Sequence, residues 1–423
     1  MRLIFLHQYF HPEIAGSAIR FTELALGLTE EGFKIDVYTG FPKISGFSTS
    51  HFQKINTLTI HRLPQTRLDK NKSYGRVVNG ITFFVFAFWK LLGTEAQTPI
   101  FIGSDPPFLC FLGWSLKRLK GQKYILQISD LYPDIATELG YLKKEGLFHK
   151  LWRKINEISF REAEAIVTLG SLMRNRILNY LPVEEAWKVQ VIENWESETI
   201  KPLPKTENPF AKQHELVHKT VVLYSGNMGL THGLNSLLEA AQRLKHEPGI
   251  LFLMIGGGKE RARLQVFAEK ENLTNILFLP YQNQEMLPYS LTAGDISFIS
   301  MKHGTEGTLV PGKLYTALAA GSAILGMASA ETEVARIVSD SRCGIVVDSE
   351  NVEQIAQAIL NLHRDQMCLR EFQKNARLAF DAHYTKTRAL QEYKSLFQTV
   401  LGHISSEPSD SLEEKYVFES KKN

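Results

Sequence analysis

The sequence predicts an α/β protein of two domains, each a parallel sheet covered by helices on both faces, with a cleft between them. Three observations lead there. At 423 residues the chain is longer than one hydrophobic core usually organises, so two domains of roughly 200 residues follow from size alone. Short apolar stretches alternate with helical patterns through both halves, as βαβ units require. Between the halves, Glu193 to Phe210 reads ENWESETIKPLPKTENPF, with three prolines, mixed charge and no periodicity, which is the composition of a linker. The expected domains are 1–195 and 205–384.

In chain order, Leu3 to Leu6 reads as a buried strand, followed by the loop Pro12 to Ser17 and a helix carrying Phe21, Leu24, Ala25 and Leu28 at helical spacing. Ser17 is the expected cap of that helix and Gly32 its end. Further strands are expected at Ile35 to Thr39, Thr59 to Leu63, Ile100 to Gly103, Tyr124 to Ile128, Ala165 to Leu169 and Val189 to Ile192. The second half restarts the rhythm with strands at Val221 to Ser225, Ile250 to Ile255, Ile276 to Phe278, Ile296 to Ser300, Ala323 to Leu325 and Gly344 to Val347. Helices near Val352 to His363, Leu369 to His383 and Thr387 to Leu401 follow, and the polar tail from Ser405 is expected to be disordered.

Composition narrows the function classes. Apolar residues make up 44% and charged residues 22%, ordinary for a globular protein, and a net charge of +3 without a stacking motif or zinc spacing argues against a nucleic-acid binder. Three scattered cysteines suit a reducing compartment, so a cytoplasmic location is expected. His7, His11, His232 and His303 have no metal-ligand spacing; neither a metal nor a cofactor is expected. Charge is uneven, however. From Lys54 to Lys123 eleven basic residues face three acidic ones, and the same interval holds the apolar run Ile81 to Trp89.

Candidate chemistry gathers on three loops. Met301 to Gly326 passes from a loop rich in Gly and Thr through Pro311 into a small apolar helix, so free backbone N–H groups and the positive helix end point at whatever sits there, an arrangement suited to a diphosphate. Gly226, Gly229 and Gly233 sit in a strand-to-helix turn, and Gly256 to Gly258 repeat the device one strand later. Neither turn has the dinucleotide or P-loop spacing. Each is equally readable as an ordinary loop before a buried helix. In the first half, Ser129-Asp130-Leu131-Tyr132-Pro133-Asp134 closes a strand with two carboxylates; Asp130 can orient a hydroxyl or act as a base, whereas Asp134 suits a first-turn helix position.

The segments PEIAGSAIRFTELALGL, SDPPF, ISDLYPDIATELG, YSGNMGLTHGL and EGTLVPGKLYTALAAG, in that order, resemble the bacterial family 4 glycosyltransferases of the GT-B fold that build surface polysaccharides and O-antigens. The resemblance implies two Rossmann-like domains, a final helix crossing back to the first domain, and retaining transfer of a hexosyl or N-acetylhexosaminyl unit from a nucleotide-sugar donor to a lipid-linked or glycan acceptor. It implies Asp130 and Glu306 as catalytic residues, and a donor site including Gly16, Gly226, Asn227, Gly229, Lys259, Gly307, Thr308, Leu309, Lys313 and Thr316. The sequence departs from the family's common pattern in two places. Asn227 and His232 stand where many members carry the Arg and Lys that neutralise the diphosphate, which leaves Lys259 or Lys313 to supply charge. Of the usual two glutamates in the Met301 loop, which grip the donor ribose, the second falls on Thr316, and Glu306 lies near the first.

Two alternatives share the architecture: a sugar-nucleotide epimerase or hydrolase, and a non-catalytic sugar-nucleotide binder. A final expectation concerns the helix Tyr74 to Leu92. Its apolar surface exceeds one face, and Lys70, Lys72, Arg76 and Lys90 flank it, while Lys117, Arg118, Lys120 and Lys123 follow the next apolar run. It reads either as a core helix or as peripheral contact with an anionic membrane surface, at the inner face of the plasma membrane.

Overall fold

The structure, a computed structural model, describes residues 1–13, 16–42, 50–69, 72–229, 232–348 and 351–402; the tail from Ser405 lies outside them. The first sheet comprises β1 (Arg2–Leu6), β2 (Lys34–Gly40), β3 (Phe52–Ile55), β4 (Leu58–Leu63), β5 (Ile100–Gly103), β6 (Tyr124–Ile128), β7 (Ala165–Thr168) and β8 (Val189–Val191), in the order β3-β4-β2-β1-β5-β6-β7-β8. All pairs are parallel except β3 with β4. The second comprises β9 (Thr220–Ser225), β10 (Ile250–Ile255), β11 (Ile276–Leu279), β12 (Ile296–Ser300), β13 (Ala323–Met327) and β14 (Gly344–Val347), in the order β11-β10-β9-β12-β13-β14, all parallel.

Central strands are buried along nearly their whole length, as sheets covered on both faces must be, and that is why they read as unbroken apolar runs. β3 went unseen in the sequence because it is an edge strand with exposed and half-exposed residues in alternation and no apolar run. In both sheets the strand order reverses in the middle, between β1 and β5 and between β9 and β12. Open α/β sheets bind ligands outside the carboxyl ends of such strands. The two crevices are therefore where chemistry is to be sought.

The linker is not loose. Glu196 pairs with Thr385 in a parallel bridge, receives a hydrogen bond from the Lys386 amide at 3.2 Å and donates its own to the Tyr384 carbonyl at 3.0 Å. This crossing delivers the helix Lys386–Gly402 to the first domain, where Tyr393 and Phe397 pack among Phe5, Phe101 and Trp195. Buried Gln127 on β6 donates to the Tyr393 hydroxyl at 2.9 Å.

Two expectations change. Ser17 does not cap its helix; it lies in the first turn of Gly16–Glu30 and donates to Asp105 Oδ2 at 2.9 Å. The cations after the second apolar run are not a free basic surface. Lys117 bonds Glu164 and the Glu162 carbonyl, Arg118 pairs with Glu162, and Lys120 Nζ caps the end of the helix Ser73–Leu92 through the carbonyls of Leu91 and Thr94 at 2.6 and 2.7 Å.

Candidate active site

In the second domain the site begins with Lys313, the first residue of the helix Lys313–Ala320. Its ammonium lies 3.9 Å from the centroid of the Tyr224 ring and bonds the Tyr224 hydroxyl, which in turn donates to the Asn227 carbonyl at 2.6 Å. Gly226 makes this possible. At φ +137° its backbone suits glycine, and a Cβ built there would come within 2.6 Å of Lys313 Cε. Burial pulls the Lys313 pKa down to about 7, so the group is poised to gain a full charge when an anion arrives. Space around Gly312, immediately before the helix, is open: a Cβ built there would meet nothing within 4 Å.

Lys313, Gly226, Ser225 and Thr316 line a cavity of roughly 240 Å³ between β9, β12 and the helices Leu287–Thr292 and Lys313–Ala320, with Tyr281 and Glu196 also on its wall. It sits at the reversal between β9 and β12. Among the described residues Lys313 is the only cation lining it. His232 adds no charge at neutral pH, since burial and the neighbouring Lys313 push its pKa down to about 4. Lys259 is exposed and lies outside the cavity wall.

Several glycines turn out to serve packing. A Cβ on Gly256 would strike the Gly226 carbonyl at 2.0 Å and one on Gly258 the Met228 carbonyl at 2.4 Å, so the two turns lie backbone on backbone. Gly229 sits against the side chains of exposed Asn227 and half-buried His232. Gly16 opens the first helix with free space beside it.

The side chains of the 301–310 loop are turned largely to packing. Thr308 is fully buried and its hydroxyl donates to the Thr305 carbonyl at 2.7 Å, so it has no proton to offer a donor. A Cβ on Gly307 would lie 3.0 Å from the Leu172 carbonyl and 3.2 Å from Arg176, which makes Gly307 a contact with the first domain. Leu309 packs against the core. Glu306 is turned onto its own loop, accepting from the Gly304 amide at 3.1 Å and lying 3.3 Å from His303. What organises this loop is the stretch from Leu172 to Arg176, some 130 residues away in the chain.

Across the cleft, the Leu131 amide donates to the Thr308 carbonyl at 2.9 Å, so the Asp130 loop abuts the 301–310 loop directly. Asp130 keeps a face open to the cleft but is ringed by protein, and that burial together with the charge of Asp105 pushes its carboxyl up to about 7. Asp105 follows β5 as Asp130 follows β6. Its Oδ2 lies 3.7 Å from Nε2 of buried His7, beyond the end of β1, while His7 Nδ1 is 2.7 Å from the Tyr9 carbonyl. Sequence reasoning missed His7 and Asp105. The repeated Ser-Asp at the ends of two strands, Ser104-Asp105 and Ser129-Asp130, was the available signal. Asp134 is structural, accepting from the Tyr180 hydroxyl at 2.6 Å. Among the described residues no group of three or more His, Cys, Asp or Glu is close enough to hold a metal ion.

Residues 206–379 match the family profile Glycosyl transferases group 1. The second domain is a group 1 glycosyltransferase domain. The chain is similar to the putative colanic acid biosynthesis glycosyl transferase WcaI of Escherichia coli K12, 26% identical over 374 residues that cover 85% of this chain and 91% of WcaI. It is also similar to the probable glycosyltransferase WbjE of Pseudomonas aeruginosa, 26% identical over 66% of this chain and 69% of WbjE. Among solved structures, sucrose-phosphate synthase of Thermosynechococcus elongatus aligns with a TM-score of 0.77 at 15% identity, covering 95% of this chain and all of that one. Anabaena Alr3699/HepE in complex with UDP-glucose aligns at 0.70 and 12% identity, covering 94% and 100%. The chain therefore has the GT-B fold.

Proposed function

We propose that the protein moves a sugar, with retention of anomeric configuration, from a nucleotide-activated donor to a lipid-linked or growing glycan acceptor in surface polysaccharide assembly. The observation that carries this reading is the seat of Lys313: one buried ammonium, held by Tyr224 above Gly226 at the start of a helix, in a cavity at the strand reversal. A cation and free helix amides at that point suit a diphosphate that gains charge as it departs. For retention the acceptor oxygen forms its bond on the face of the anomeric carbon from which the diphosphate oxygen departs, and that departing oxygen takes the hydroxyl proton, while ionised Asp130, across the cleft, accepts a hydrogen bond from the acceptor and orients it. The names of WcaI and WbjE, and the UDP-glucose bound by the Anabaena protein, support donor class and pathway.

A membrane-facing role for the first domain fits the same reading. Phe83, Ala87 and Leu91 of the helix Ser73–Leu92 are buried on the sheet, but Val77, Ile81, Val85, Phe86 and Trp89 are exposed, with Trp89 at 68%. Exposed Arg76 and Lys90 sit at either end. An apolar stripe flanked by cations lies well in an anionic interface, where a lipid-linked acceptor is found. The test of the function is NMR of the product formed from a nucleotide sugar and a lipid-linked acceptor. The product's anomeric coupling should match the donor's configuration; inversion would contradict the proposal.

A further inference from the structure

Thr316 lies one turn after Lys313, on the same helix face, and both line the cavity. Its hydroxyl donates to Glu196 Oε2 at 2.7 Å. Glu196 comes from the linker and lines the same cavity. Its Oε2 also accepts from Arg20 Nη2 at 3.1 Å, and its Oε1 accepts from the Ser197 amide at 2.9 Å. A carboxylate offers about four lone-pair directions. Three are taken, and the Thr316 oxygen, having given its proton away, keeps its own lone pairs for another donor. The cavity thus has an acceptor-only end at Glu196 and Thr316 and a cationic end at Lys313. Vicinal hydroxyls suit the first and a diphosphate the second.

We propose that Glu196, polarising Thr316, is the residue that grips the ribose hydroxyls of the donor, so that the site takes ribonucleoside diphosphates in preference to 2′-deoxy ones. This rests on the nucleotide-sugar reading above. The carboxylate is pre-set for the task. Its backbone is fixed on both sides by Tyr384 and Lys386, and Arg20, itself held at 3.0 Å by Glu23, arrives from the first domain. Glu23 in turn accepts from Trp195 Nε1 at 2.9 Å, which closes the chain of contacts back onto the linker. The rest of the wall, including Leu287, Leu291 and Ile299, is apolar and suits the flat face of a base.

The test is calorimetric titration of the full chain with UDP, ADP, GDP and CDP and with the 2′-deoxy form of each. For the base that binds best, the wild type should prefer the ribose form by about ten- to a hundredfold, the worth of one hydrogen bond to a charged group. Glu196→Gln should bring that ratio close to one. Thr316→Val, which keeps shape and removes the hydroxyl, should lower the ratio while leaving the melting temperature near that of the wild type. Wild-type binding without preference for ribose overturns the assignment and leaves the nucleotide-sugar reading standing. Equal weakening of ribose and deoxyribose forms by Glu196→Gln reduces Glu196 to a tie between domains, and also overturns it. Binding of none of the eight nucleotides removes the assignment together with the reading it rests on.

Discussion

At the scale of residues, two displaced pKa values govern the expected behaviour. Lys313 titrates near 7 when the cavity holds no anion, and a bound diphosphate raises that value. Above pH 7 binding must therefore take up a proton, so nucleoside diphosphate affinity should be greatest below pH 7 and fall by up to about tenfold per pH unit above it. Lys313→Met should bind weakly with a flat profile; a wild-type profile that is flat, or that rises with pH, contradicts the role given to Lys313. Asp130 is the opposite case. Its folded value, about 7, lies above the ordinary carboxyl value of 3.8, so its contribution to stability is full below pH 3.8 and is lost as pH rises through 7. Asp130→Asn should then stabilise the protein at pH 8 by about 2–4 kcal/mol, an advantage that fades toward pH 4, while transfer collapses and nucleotide binding stays. Urea denaturation at the two pH values checks it. These residues were only partly legible in the sequence. Asp130 and Lys313 stand at strand and helix ends, where chemistry is expected, but Glu196 sits in a linker without periodicity, and only the crossing at Thr385 shows what it faces.

The elements were more legible than their surroundings. Buried parallel strands announce themselves as apolar runs, and the helix Ser73–Leu92 by its length and spacing. The cations nearby were misread because charge counted along a chain does not tell which residues are already paired. Lys120 is a cap, and its removal should destabilise the protein by about 1 kcal/mol through the freed carbonyls of Leu91 and Thr94, with no loss of vesicle binding. Replacing Phe86 and Trp89 by Ser should do the reverse, lowering binding to anionic vesicles several-fold with little change in stability, since both are exposed. Loss of vesicle binding in Lys120→Ala, or none in the Phe86/Trp89 variant, would assign this helix to another role. The 301–310 loop makes a similar point. The family resemblance implies Gly307 and Thr308 at a donor; Gly307 packs against the neighbouring domain, which local sequence does not reveal, and the Thr308 hydroxyl is spent on the Thr305 carbonyl.

For the whole molecule, the decisive feature is that the two sheets present their reversals to one another through contacts that cross the cleft. Leu131 meets Thr308, and Glu333 of the second domain accepts from Ser171 Oγ at 3.0 Å and the Leu172 amide at 2.7 Å at the start of a first-domain helix. Arg336 completes the tie by pairing with Glu333 and Glu193, each at 2.6 Å. The 301–310 loop and the Asp130 loop are thus brought together by one arrangement of the domains. Division of labour between them is the central claim, and it is tested most directly by nucleoside diphosphate release from a nucleotide sugar, with and without a lipid-linked acceptor, in the wild type, Lys313→Met and Asp130→Asn. The account predicts release only when acceptor is present, loss of release in both variants, and loss of nucleotide binding in Lys313→Met alone. Release that ignores the acceptor, or that survives both substitutions, would contradict it.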